Sequence, residues 1–239
     1  MWRDFEERIG HPDVEGMCDF ACSMADTMPA EGIIDTMNLY WKEQYGFVNK
    51  FQKYVPEWLQ TIDTSQAKCK KGSLINNKND LFMSFNYTDT LEKVYGINVV
   101  FHPHGGVPSC CEIAPVMGHG NKYIIDAYRR KAKEAHEEFV EWYESICNAT
   151  ADFCESLYKD TDTIIRKNDC FFSSLGDVNQ VICLGLSFGD VDVQYLNRIQ
   201  HEVRSETKWT VYYYSEDDLK RLKSVFGITD ISRKFEVYF

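Results

Sequence analysis

Two side chains in this sequence are suited to acid–base and orienting work, and both follow short apolar runs. Asn86, in Phe85-Asn86-Tyr87-Thr88-Asp89, carries an amide that donates and accepts at once, so it can hold a hydroxyl or a water. The same position also suits an Asx turn or a helix cap. His104, in His102-Pro103-His104-Gly105-Gly106, offers an imidazole whose ordinary pKa suits a general base. Two glycines beside it would let a ligand come close, and in such a loop the ring is expected to matter little to packing. A third segment, Gly185-Leu186-Ser187-Phe188-Gly189-Asp190-Val191-Asp192, opens a helix whose free N–H groups favour phosphate. Asp190 and Asp192 compete for the same dipole and could instead cap the helix or bind ribose hydroxyls.

The histidines permit a rival chemistry. His102 and His104 are two apart and share a face of an extended strand. His119 follows in Met117-Gly118-His119-Gly120, with Cys110-Cys111-Glu112 between. A transition metal accepts such ligands, but the spacing matches no structural zinc module. Our reading expects no metal. Cys18 and Cys22, one helical turn apart, are expected to pack in a core.

The elements that must position these residues follow from the apolar pattern. Residues 1–62 read as a helical segment, with Met37, Trp41, Tyr45, Val48, Phe51, Val55, Trp58 and Ile62 on one face. Pro56 falls inside that run and is expected to kink or break it. Residues 63–80 are polar and read as a loop. Leu81–Phe85 and Asn98–His102 read as buried strands on either side of a helix that starts at Asp89 with Glu92 in a capping-box-like pattern and stops at Gly96. Such a strand–helix–strand unit suggests two parallel neighbours. Ala132, Ala135, Phe139, Trp142 and Ile146 are placed on one helix, and a second helix covers about 150–167. Val181–Gly185 and Trp209–Tyr214 are further strands, followed by a closing helix over 216–226. Strands alternating with helices argue for a parallel α/β sheet, and ligands of such sheets sit at strand carboxyl ends.

Composition sets outer limits. The chain has 239 residues and a net charge of −11, from 37 acidic against 26 basic side chains. A protein that wraps a nucleic-acid backbone usually shows the opposite sign. The cluster Arg129-Arg130-Lys131-Lys133 lies among glutamates and reads as a solvated helix face. No apolar stretch approaches the ~20 residues of a membrane span, and the acidic N-terminus lacks a signal peptide's basic start. Nine cysteines without a C-x-x-C pair suit reduced thiols, and hence a cytoplasmic protein.

Taken together the motifs resemble a known family. Phe85-Asn86-Tyr87-Thr88-Asp89-Thr90-Leu91-Glu92 is similar to the "FNYT…LE" signature of the bacteriophage abortive infection AbiH family. His102-Pro103-His104-Gly105, Gly118-His119-Gly120 and Gly185–Asp192 match its other blocks in order, and Trp2-x-x-Phe5-Glu6 is similar to a block there. The same blocks more distantly resemble sirtuin-like NAD-consuming domains of bacterial defence systems. That resemblance implies catalytic roles for Asn86 and His104. It places Gly185 and Ser187 in the turn that holds cofactor phosphate or ribose, and Thr88, Asp89, Asp190 and Asp192 complete the expected cofactor-binding set.

The family pattern also includes an upstream strand with a "GNGFD"-type loop, and this chain, starting at Met1-Trp2, resembles an N-terminally short member. The implied fold is one α/β domain, residues 1–239, with a Rossmann-like, mostly parallel sheet. It comprises a helical segment (1–62), sheet core (81–125 and 176–239) and helical insertion (126–175). The implied function is phage defence by cleavage of the nicotinamide–ribose bond of NAD or a related nucleotide. A metal-dependent hydrolase or nuclease using His102, His104 and His119 is one alternative. A non-enzymatic sensor or partner-binding protein with a degenerate nucleotide site is another. A nucleotide ligand, a phage-encoded trigger and homo-oligomerisation are all compatible with the sequence.

Overall fold

The computed structural model describes residues 11–27, 33–70, 74–75, 79–227 and 235–238. The Trp2-x-x-Phe5-Glu6 block and the first ten residues of the expected helical segment lie outside them. Among the described residues the chain mixes helices with two small parallel sheets, and it divides into two compact units, residues 1–159 and 160–239.

Among the described residues, the first unit contains the helices α1 (Val14–Thr27), α2 (Ile33–Tyr45) and α3 (Phe47–Gln60) toward its N-terminal side. The helix runs through Pro56, and the interruption falls instead at Gly46, between α2 and α3. An added β carbon at Gly46 would lie 2.8 Å from the Lys42 carbonyl oxygen. Tight backbone, rather than proline, therefore marks this junction. Among the described residues of 63–80 there is a 3₁₀ turn, Thr64–Gln66. The strands β1 (Phe82–Met83) and β2 (Val100–Phe101) pair in parallel around α4 (Thr90–Tyr95), as the strand–helix–strand pattern predicts. Gly96 caps α4 in the left-handed region, with φ +67°.

The expected helix through Phe139 is two helices, α5 (Lys122–Glu137) and α6 (Glu141–Ser156). Phe139 sits at the turn with positive φ and is exposed. The Val140 amide donates to the Ala135 carbonyl and closes that turn. The second expected helix, over 150–167, is likewise divided: its first part belongs to α6, which ends at Ser156.

Among the described residues, buried clusters hold this unit together. Met17, Ala21, Met37, Trp41 and Ile146 form one, and Val48, Ile125, Phe153, Cys154 and Leu157 a second. Val55 and Leu59 of α3 form the third with Tyr87, Val107 and Met117, which fixes the candidate loops against α3. Cys18 packs against the first cluster, while Cys22 is exposed. The basic stretch on α5 is an ion-paired surface: Arg129 bridges Asp152 and Glu155, and Arg130 and Lys133 face Glu134 and Glu137.

The second unit contains α7 (Thr161–Lys167), α8 (Asp169–Ser173) and a 3₁₀ turn (Ser174–Asp177), followed by β3 (Gln180–Leu184) and α9 (Asp190–Glu202). It closes with β4 (Lys208–Tyr212), α10 (Glu216–Phe226) and β5 (Phe235–Tyr238). Its sheet has the order β3-β4-β5, all parallel, with Ile182 opposite Thr210 and Thr210 opposite Glu236. Trp209 and Val211 of β4 are fully buried, and Trp209 meets Phe226 edge-on at 4.9 Å. The helix α10 matches the residues its pattern predicts. Its start is a complete capping box between Ser215 and Asp218. All nine cysteines are described, and among the described residues none forms a disulfide.

Candidate functional site

The parallel pairing of β1 and β2 places two loops side by side. The Ser84 amide donates to the Phe101 carbonyl at 2.9 Å and extends the ladder past both strand ends. Beyond it run residues 85–89 on one side and 102–107 on the other. Val107 N–H donates to Tyr87 O at 2.8 Å and His102 Nδ1 lies 3.1 Å from Asn86 O. Because a carbonyl only accepts, Nδ1 of His102 carries hydrogen. Its Nε2 lies 2.8 Å from Glu92 Oε1. The ring is thus held from both sides, with Nδ1–H donating to the Asn86 carbonyl and Nε2 sharing a hydrogen bond with the Glu92 carboxyl.

Asn86 is exposed and is held through its backbone, by Ser84 Oγ and by His102. His104 corrects the expectation of a ring irrelevant to packing. It is 6% exposed, meets Phe85 edge-on at 5.3 Å and lies 6.5 Å from the Tyr87 ring. Burial, and secondarily the Lys159 ammonium, hold its pKa well below the ordinary imidazole value. The ring stands as a neutral base. Lys159, itself 2% exposed, donates to Tyr87 Oη at 3.2 Å, and Tyr87 Oη donates to Val116 O.

The loop that carries His104 leaves no room at Gly105. Its φ is +74°, and a β carbon there would stand 2.3 Å from the Ala114 carbonyl oxygen. The Val116 and Gly106 amides donate to His104 O and Ile113 O, so residues 113–116 line this loop. Gly105 thus serves the backbone's own approach.

Asp89 has a different role from the helix cap that its spacing suggests. It makes no side-chain cap bond to α4. Its carboxylate, 3% exposed, accepts from Thr64 Oγ1 at 2.5 Å, from Ser109 Oγ and from Lys93 Nζ at 2.7 Å. Glu92, the expected partner in that box, faces His102 instead. Burial alone would raise the Asp89 pKa, but hydrogen bonds from Lys93, Ser109 and Thr64 bring it down to about 2. A lowered folded-state value stabilises the fold above the unfolded value near ~3.9, and this is lost as pH falls through the folded one. Asp89→Asn should therefore cost roughly 2–3 kcal/mol at neutral pH. Denaturant unfolding should show the gap to the parent narrowing from about pH 4 downward.

Thr88 and Asp89 line a depression of about 260 Å³ with Lys93, Ser109 and Leu59. That is below the ~300–1,000 Å³ of a typical ligand pocket, so this depression by itself does not enclose a dinucleotide. Neither Asn86 nor His104 lines it.

In the second unit, Gly185 adopts φ +63° directly after β3, and its amide donates to Tyr212 O. Phe188, fully buried, also takes positive φ, a conformation that costs a bulky residue about 1–3 kcal/mol. Ser187 Oγ and Asp192 Oδ2 lie 3.9 and 3.8 Å from the β-carbon position of Gly189, at the start of α9. Asp190 is exposed, Asp192 is buried, and both stand in the first turn of α9.

The model of the bacteriophage abortive infection AbiH family matches residues 1–213. The chain belongs to this family. AbiH membership supports a role in phage abortive infection. No curated protein and no solved structure matches the chain. Among the described residues, no helix is long and apolar enough to cross a membrane.

This AbiH chain carries Asn86, Thr88, Asp89, His102, His104 and His119 in its first unit. Gly185, Ser187, Asp190 and Asp192 lie in its second. His119 stands apart from the other two histidines: its Nε2 donates to Cys154 O at 3.0 Å and its Nδ1 accepts from Asn121 N–H. The three histidines do not converge as metal ligands. Sequence reasoning missed Tyr87, Glu92 and Lys159 as neighbours of the histidines. Lys159 has no local signal, being one lysine ahead of the Asp160 cap of α7.

Proposed function

We propose that this AbiH chain acts in abortive infection by hydrolysing the nicotinamide–ribose bond of NAD or a related nucleotide. The supporting observation is the place of Asn86 and His104, on neighbouring loops at the carboxyl ends of two paired parallel strands. Open α/β sheets bind their ligands at such ends. In this reading the protein has the Rossmann-like fold that its motifs imply and works in the cytoplasm. The Gly185–Asp192 turn contributes nucleotide contacts, Gly185 and Ser187 toward phosphate or ribose. Thr88 and Asp89 are proposed as further nucleotide-binding residues, and a phage component triggers the reaction.

The proposed step is balanced without a cofactor. Water oxygen bonds to the ribose C1′ as the bond from C1′ to the nicotinamide nitrogen breaks, and nicotinamide leaves neutral. Asn86 orients the ribose or the water, and His104 takes the water proton. Incubation of the purified chain with NAD, with and without phage-infected lysate, tests this. The expected products are nicotinamide and ADP-ribose in equal amounts. NAD left intact under both conditions would overturn the assignment.

A further inference from the structure

We infer that Glu92, His102 and Cys110 form a transition-metal site, zinc by the character of its donors. This goes beyond the proposed hydrolysis and uses neither Asn86's side chain nor His104. The carboxylate, imidazole and thiol donor atoms all lie within 4.8 Å of one another. They come from α4, from the residue after β2, and from the turn that follows the histidine loop. The parallel pairing of β1 and β2 gathers them.

Three features point to a cation. Among the described residues, Glu92 Oε2 is buried without a hydrogen-bond partner, and a buried carboxylate oxygen left so is costly unless a charge or donor meets it. His102 is fixed for ligation: its Nδ1–H is held by the Asn86 carbonyl, which aims Nε2 at Glu92. A metal-bound imidazole is oriented in this way by a carbonyl or carboxylate on its other nitrogen. The donor set of one sulfur, one nitrogen and one carboxylate oxygen favours zinc over magnesium or calcium. Three protein ligands leave a fourth position open. Glu92 and Cys110 are partly exposed, which gives an ion a route in. On binding, the metal displaces the thiol proton of Cys110, which now points at Val107 O, and the proton shared by His102 and Glu92.

The sequence hid this set because Glu92 reads as a capping-box residue and Cys110 as one of a cysteine pair. The test is titration of the chelator-stripped full chain with Zn²⁺, and separately with Co²⁺ read by thiolate-to-metal charge-transfer absorption. We expect one ion per chain and a cobalt–thiolate band. Cys110→Ser keeps the local shape and should abolish the band. It should weaken zinc binding by more than the ~10–100-fold typical of losing an outer-shell partner. Glu92→Gln should weaken binding while keeping the band, and Cys111→Ser should retain both. No stoichiometric zinc in the parent chain, or binding unchanged in Cys110→Ser, would overturn the site.

Discussion

Replacing His104 with glutamine is expected to slow nicotinamide release from NAD by about 10²–10⁴-fold, the usual contribution of a general base. In barrier terms that is about 3–5 kcal/mol. Glutamine fills much of the same space and keeps a polar terminus, which matters because the ring is 6% exposed and packs on Phe85. His104→Ala should lose the same activity and also stability, because removing a buried ring typically costs about 3–5 kcal/mol. The two variants thus separate chemistry from packing. Initial rates together with melting curves make the distinction. A glutamine variant that is folded and as fast as the parent would remove His104 from the reaction. One that fails to fold would return the ring to a structural role.

Gly118→Ala is expected to destabilise the first unit by roughly 3–5 kcal/mol. Gly118 has φ +148°, and an added β carbon would lie 1.8 Å from the Leu157 carbonyl oxygen and 2.7 Å from its carbon. Both are backbone atoms, so no side chain can rotate away. The clash falls on a short parallel bridge in which His119 N–H donates to Leu157 O and Lys159 N–H donates to His119 O. Forcing the two segments apart would also move Lys159, whose ammonium donates to Tyr87. Gly176 is the matched control: nothing lies within 4 Å of its β-carbon position, so alanine there should change stability by about 0.5 kcal/mol or less. Thermal unfolding of the two variants should differ by about 6–20 °C. Equal midpoints would show that the Gly118 segment yields without penalty.

The local elements were legible where one signal acted without competition. Gly96 ends α4 because a left-handed cap suits glycine. The helix α10 matches its predicted span because its apolar face and the acidic first turn agree. The spacing of Asp89 and Glu92 marks the helix start correctly, with Asp89 at the cap position, but not the bonds of their side chains. Thr64 and Ser109 engage Asp89, and His102 engages Glu92. Tertiary hydrogen bonds outcompeted a cap worth about 1 kcal/mol. The division at Phe139 escaped detection because helical spacing of apolar residues carries across a one-turn interruption. The pairing of the Asn86 and His104 loops followed from the strand–helix–strand pattern. The burial of His104 did not, since it depends on Phe85 and on residues 113–116, which have no periodic signal.

The account is tested most directly in living cells, by following total NAD after phage challenge in bacteria that carry the parent chain or its Asn86→Ala variant at equal protein level. The parent should lose NAD before lysis and release few phage. The variant should keep its NAD and release phage freely. Protection by the parent while NAD stays constant, or equal protection by both chains, would contradict the assignment of abortive infection to NAD cleavage at Asn86 and His104.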